Sequence, residues 1–189
     1  AVALADAHEN IFATIGLHPA DNTLEEYDDE AFEKLAEHEK VVAIGECGLD
    51  YYYIETFFAK MTDSDKEEKG IWWNKDAETD RQKRIFENQI NLAVKVDKPL
   101  MLHGRPRKGT QDAYEDMLHM LESAKKKHGD KLRGNAHFFV GNLDIAQRFL
   151  DIGFTMSFSG VITFTHDYDD VVRFIPLNMI HAETDSPYA

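Results

Sequence analysis

Six short apolar runs divide this chain, and each stops at residues that a hydrophobic core does not readily accept. Ile11 to Leu17 leads into His18-Pro19, and Val41 to Ile44 into Gly45-Glu46. Pro99 to Leu102 ends at His103, and Asn135 to Phe139 carries His137 inside it. Phe154 to Phe158 runs into Ser159-Gly160, and the run from Met179 meets Glu183-Thr184-Asp185. Continuous apolar runs of strand length, without alternation, are expected of strands buried on both faces of a parallel sheet.

The segments between them carry a helical period. Asp29 to His38 puts Ala31, Phe32, Leu35 and Ala36 on one face, and Asp80 to Val96 does so with Ile85, Phe86, Gln89, Leu92 and Ala93. Gln111 to Lys127 buries Tyr114, Met117, Leu118 and Leu121, then turns lysine-rich before Gly129, which are helix stop signals. Leu143 to Leu150 is a shorter helix closed by Gly153. The order is strand, helix, strand throughout, which gives an α/β fold: a doubly wound sheet or a β/α barrel. No internal repeat and no Gly/Ser linker interrupts it, so residues 1–189 read as one domain. The stretch 54–79 does not fit. It is long, charged and irregular, with Trp72-Trp73 in its middle, and reads as an insertion that packs on the rim or closes over substrate.

In a β/α barrel the carboxyl ends of all strands meet on one face. Glu46, His103, His137 and Asp185, remote in sequence, would then share one pocket. A divalent cation held by two imidazoles and two carboxylates would explain why Glu46 is tolerated at the end of an apolar strand. Taken singly, each has an ordinary role: a hydrogen-bonded strand-end histidine, a turn aspartate before Ser-Pro, a glutamate paired with Arg105. Their spacing is not that of a zinc finger, and the recurrence at successive strand ends carries the argument. His18 stabilises a strand–loop junction or faces the pocket. Asp50 and Arg105 orient ligands, grip phosphate or form a surface ion pair. Cys47 alternates away from Glu46 and reads as a packed core thiol.

The formal net charge of −14 disfavours broad, salt-driven binding to a phosphate backbone, although a metal in an acidic pocket inverts the local sign. No apolar run approaches a membrane span, and the first residues lack the basic and apolar regions of a signal peptide. A single cysteine leaves no internal disulfide, so a reducing cytoplasm is expected.

The segments IGLHPAD, VVAIGECGLDYYY, KPLMLHGR, MSFSGVITF and HAETDSPY together resemble the TatD family of metal-dependent deoxyribonucleases, within the amidohydrolase-like β/α barrels. The resemblance runs from about Ile11 to Tyr188 and leaves 54–79 unmatched. It implies a TIM-like (β/α) barrel of the metal-dependent hydrolase type, which cleaves phosphodiester bonds of DNA with a metal-activated water. It implies Glu46, His103, His137 and Asp185 as ligands of one or two divalent ions (Zn²⁺, Mn²⁺ or Mg²⁺). Asp185 and Glu46 would be the catalytic carboxylates, with Asp185 taking the proton of the attacking water. His18 and Arg105 would face the substrate, and Glu183 and Asp50 would support the ligands.

Two departures stand out. The family's opening His-x-His is absent, and AHFFVGN replaces the usual neighbours of the His137 position. The chain therefore reads as a partial barrel, without the first strand and the last βα unit. DNA, as single strands or ends, is the expected partner, with no membrane and no obligate protein partner. Trp72 and Trp73 would stack on bases at the entry. A hydrolase of esters, lactones or amides on the same fold is the rival reading, and a non-catalytic binding remnant is another.

Overall fold

The computed structural model describes residues 1–20, 26–62 and 74–186. Its centre is a six-stranded, all-parallel sheet. The strands are β1 (Ala13–Ile15), β2 (Val41–Asp50), β3 (Leu100–Arg105), β4 (Gly134–His137), β5 (Thr155–Phe158) and β6 (Ile180–Ala182). The helices are α1 (Val2–Ala7), α2 (Asp29–Ala36), α3 (Tyr51–Lys60), α4 (Lys75–Lys95), α5 (Asp112–His128), α6 (Leu143–Asp151) and α7 (Asp169–Phe174). Among the described residues, no helix is long and apolar enough to cross a membrane.

The strand order decides between the two architectures left open above. Each strand pairs with its neighbour in sequence, β1-β2-β3-β4-β5-β6, with no reversal. A doubly wound sheet needs a switch point where the order turns back. Right-handed crossovers that always step in one direction put every helix on one face of the sheet. The opposite face is then the interior of a TIM-like β/α barrel. Among the described residues the sheet does not close, because β1 and β6 each have one paired neighbour.

The core lies between sheet and helices. Ile44 and Leu102 from the strands meet Phe86 of α4, Met117 and Leu121 of α5, and Phe149 of α6, all 0–1% exposed. Side chains of this kind each stabilise the fold by about 1.5–3 kcal/mol when fully buried. Helix ends are capped as the sequence allows: Asp28 accepts from Ala31 N–H, and Asn142 accepts from Ile145 N–H.

The stretch 54–79 differs from its expected irregularity at both ends. Residues 54–60 belong to α3, which follows β2 directly; the Asp50 carboxylate caps it by accepting from Tyr53 N–H at 2.6 Å. Residues 75–79 are the first turn and a half of α4, capped by Asn74, which accepts from Asp76 and Ala77 N–H. A local cap was enough to nucleate helix where side-chain patterning was weak. Trp72 and Trp73 lie outside the described residues.

β2 shapes the pocket. Its pairing with β3 slips between Ile44 and Cys47. The slip turns Glu46 to the interior, while Cys47 is fully buried on the helix side. Gly45 has φ +147°, and a Cβ there would stand 2.3 Å from the Met101 carbonyl oxygen, so only glycine lets β3 approach this closely.

Candidate metal centre

The strand ends open on a cavity of about 1300 Å³, whose lining includes His18, Glu46, Asp50, His103, His137 and Asp185. Arg105, Tyr52 and Phe138 also face it. Of the strand-end residues singled out in the sequence, His18, Glu46, His103, His137 and Asp185 line this one cavity, Glu183 reaches it through His137, and Ser159 and Gly160 are not in its lining.

Glu46 is the hub. One carboxylate oxygen, Oε1, lies 2.8 Å from His103 Nδ1, 3.6 Å from His18 Nε2 and 4.0 Å from His137 Nε2. Burial pushes its pKa up, but hydrogen bonds from His103 and His18 outweigh this and hold it well below the ordinary carboxylate range. His18, Glu46 and His103 present ligand atoms within 4.8 Å of one another, a grouping placed to bind a metal ion.

His103 sits between two carboxylates. Its second nitrogen, Nε2, lies 3.0 Å from Asp50 Oδ2, and Asp50 is 2% exposed. Burial lowers the His103 pKa, yet the hydrogen bonds to Asp50 and Glu46 prevail and raise it to about 9. The nitrogen facing Asp50 can keep its proton while the other turns to a cation, the usual arrangement for a ligating histidine.

His137 has the same design from the other side of the cavity. Glu183 Oε2 is 2.6 Å from His137 Nδ1, and Glu183 Oε1 accepts from Phe138 N–H at 2.6 Å. The hydrogen bond to Glu183 raises the His137 pKa against the opposing effect of burial. With Nδ1–H committed to Glu183, Nε2 points at Asp185 Oδ1, 3.4 Å away.

His18 is different. Ala20 N–H donates to its Nδ1 at 3.1 Å, so the neutral ring carries its proton on Nε2, toward Glu46 and the cavity. In that tautomer His18 is a hydrogen-bond donor. Ligation by Nε2 would require the ring to release Ala20 N–H. Arg105 is exposed, with its guanidinium 4.2 Å from the Tyr52 ring centre at the cavity wall.

The donor set suits a divalent cation. Glu46, Asp50, Glu183 and Asp185 converge on three imidazoles, and mixed nitrogen and oxygen donors match Zn²⁺ or Mn²⁺, with Mg²⁺ where carboxylates dominate. Without a cation, the balancing positive charge falls to protonated histidines. A metal replaces those protons.

Two buried polar residues beside the site were not singled out as site residues in the sequence: Gln82 and Gln89 of α4, each 1% exposed. Their amides bond backbone at the ends of β1 and β2. Gln89 falls on the buried face of the helical period, and that polar interruption was the available signal.

The whole chain, residues 1–189, matches the family described as TatD related DNase. It is 34% identical over 191 residues to the uncharacterized metal-dependent hydrolase YabD of Bacillus subtilis, covering 100% of this chain and 63% of that protein. It is 33% identical over 149 residues to Deoxyribonuclease Tat-D of Schizosaccharomyces pombe, covering 79% of this chain and 39% of that one. The crystal structure of YjjV, a TatD homologue from Escherichia coli, superposes with a TM-score of 0.73 at 27% identity, over 99% of this chain and 62% of YjjV. The chain thus spans about three fifths of the length of YabD and of YjjV.

Proposed function

The chain belongs to the TatD-related DNase family, a family of metal-dependent hydrolases, and from that membership we propose that it forms the greater part of a phosphodiesterase acting on DNA. The observation that carries the reading is the convergence of Glu46 of β2, His103 of β3, His137 of β4 and Asp185 just after β6 on one cavity. The name of the fission-yeast relative supports DNA as substrate.

Glu46, His103, His137 and Asp185 are the residues that would hold one or two divalent ions. Such ions supply a water of lowered pKa and neutralise charge on the phosphoryl oxygens. Asp185, which has one oxygen on His137 and is about one third exposed, takes the proton of the attacking water. In the metal-free protein, hydrogen bonds from His103 and His18 keep the Glu46 carboxyl below its ordinary range; a bound divalent ion would take over that role. Asp50 and Glu183 keep the rings of His103 and His137 in place. His18 donates its Nε2–H to a phosphate oxygen, and Arg105, braced on Tyr52, grips the phosphate.

A surface with net charge −14 favours single strands or ends, which need few contacts, over a coated duplex. The domain is one partial barrel carrying an insertion at about 54–79, and the buried free thiol of Cys47 is consistent with a reducing cytoplasm.

The test is hydrolysis of a fluorescent single-stranded DNA by the complete protein with Mn²⁺ or Zn²⁺, alongside ester, lactone and amide substrates. Asp185→Asn and Glu46→Gln should each lower kcat on DNA by about 10²–10⁴-fold. Turnover of an ester, lactone or amide with none of DNA would replace the nuclease reading. Neither turnover nor metal uptake would leave a binding remnant.

A further inference from the structure

Two buried side-chain amides of α4 reach the backbone that carries His18 and Asp50, and both are hydrogen-bonded. Gln89 Oε1 accepts from Leu17 N–H at 2.8 Å, and Gln89 Nε2 donates to Leu17 C=O at 3.2 Å. One amide thus serves Leu17 as a neighbouring strand would, two residues after β1 has ended at Ile15. Seven residues earlier, two helical turns along the same face, Gln82 Oε1 accepts from Asp50 N–H at 2.9 Å. Gln82 Nε2 lies 3.3 Å from Pro19 C=O, 3.4 Å from Glu78 Oε1 and 3.5 Å from Asp50 C=O. The backbone on both sides of His18 is therefore held by these glutamines, and one of them also holds Asp50.

Burying two primary amides is costly unless every donor and acceptor is met, and here each is met by backbone or by Glu78. Gly16 makes the room: a Cβ at that position would stand 2.7 Å from Gln89 Oε1. A hydrophobic pair would pack the same helix without these demands, which points to a role beyond cohesion.

We propose that Gln82 and Gln89 are positioning residues of the active site. Gln89 sets the reach of His18 into the cavity. Gln82 sets both His18 and the row Asp50–His103–Glu46, so that α4 fixes the distance between the phosphate donor and the metal ligands. The proposal rests on the roles given to these residues under Proposed function.

The experiment uses the complete protein and two titrations, Co²⁺ alone and then inorganic phosphate into the Co²⁺-loaded form. Gln82→Met should weaken Co²⁺ binding by about tenfold and shift its visible absorption band, since it frees the backbone of Asp50, the outer partner of His103, and disturbing such partners costs about 10–100-fold in metal affinity. Gln89→Met should bind Co²⁺ within threefold of wild type but weaken phosphate about tenfold. Leu121→Ala, a cavity in the core of α5 away from the site lining, is the stability control and should leave both constants unchanged at an equal or larger loss of melting temperature. Gln89→Glu, which keeps the acceptor for Leu17 N–H, is measured the same way if Gln89→Met does not fold. Both glutamine variants binding Co²⁺ and phosphate like wild type would overturn the proposal, as would equal losses of both constants in Leu121→Ala. Wild-type protein that takes up no Co²⁺ would overturn the metal-centre reading itself, a result separable from the other two.

Discussion

Gly104, between His103 and Arg105, offers a sharp test of how the pocket wall is built. A Cβ placed there would lie 2.4 Å from Tyr114 Cε1 and 2.9 Å from Cδ1, where ordinary contact begins near 3.4 Å. The ring must therefore retreat by about 1 Å in Gly104→Ala, and its surroundings resist. Tyr114 is 1% exposed and packs against Phe139 and Phe149, both at 0%, with ring centres 5.3 and 6.1 Å away. Overpacking of this kind costs about 1–3 kcal/mol. Retreat also pulls the Tyr114 hydroxyl from Val140 N–H, which donates to it at 3.1 Å, and a stranded donor adds about 1–2 kcal/mol at a half-buried site. The sum is roughly 2–5 kcal/mol, or a fall of about 4–20 °C in melting temperature for a domain of this size. Thermal unfolding by circular dichroism measures it. Tyr114→Phe, which loses only the hydroxyl, should cost about 1 kcal/mol. Gly104→Ala combined with Tyr114→Leu should cost less than the two single changes added together, because the clash disappears with the ring. A Gly104→Ala protein that melts within 2 °C of wild type, or a strictly additive pair, refutes the packing argument.

Three further outcomes follow from the site's charges. In metal-free protein His103 is held at about 9, above its ordinary value near 6.5, so its protonated form stabilises the fold fully below about pH 6.5 and loses that effect as pH rises through 9. The melting temperature should fall between pH 6.5 and 10, and His103→Gln should flatten the slope; a flat wild-type profile counts against the Asp50–His103–Glu46 row. Glu183→Gln removes the charge that raises the His137 pKa, so NMR titration of metal-free protein should find His137 shifted down, and an unchanged midpoint would detach Glu183 from that role. Burial pushes the Cys47 thiol well above its ordinary value, so a thiol reagent at pH 8 should label it only at the rate of unfolding; prompt labelling of folded protein would contradict its place in the core.

The strands were legible because the central ones are mostly buried, which leaves apolar runs such as Val41 to Ile44, although Val42 is 44% exposed and β6 shows two of its three residues to solvent. Their polar ends were equally plain, and the cavity gathers them. The choice between barrel and doubly wound sheet was hidden from pattern alone, since both alternate strand and helix and differ only in spatial order. α3 was obscured by Tyr51-Tyr52-Tyr53 followed by Ile54 and Thr56, residues at home in strands, while its cap Asp50 was read as a ligand's support, a phosphate contact or a surface ion pair and not as a helix cap. The start of α4 was missed because Glu78 and Arg81 look like surface charges; they are buried at 0% and 7% exposure as a two-pronged ion pair. Gln82 and Gln89 are the deeper case. What a buried amide does depends on which backbone it meets, and Leu17, Pro19 and Asp50 reach it only once β1, β2 and α4 have assembled.

The strictly sequential strand order has a consequence for synthesis. Each new strand leaving the ribosome finds its partner already made, so the sheet can grow at one edge in the order of translation. The proposed metal centre cannot. Asp185 emerges 167 positions after His18, which at about 5–20 residues per second is roughly 8–33 s of elongation. For the last 82 of those positions, roughly 4–16 s, His18, Glu46 and His103 would be exposed to cellular metal without Asp185. A nascent chain with an incomplete ligand set would hold metal weakly and exchange it, and under the proposed site commitment to one ion would wait until β6 docks and brings Asp185 into place.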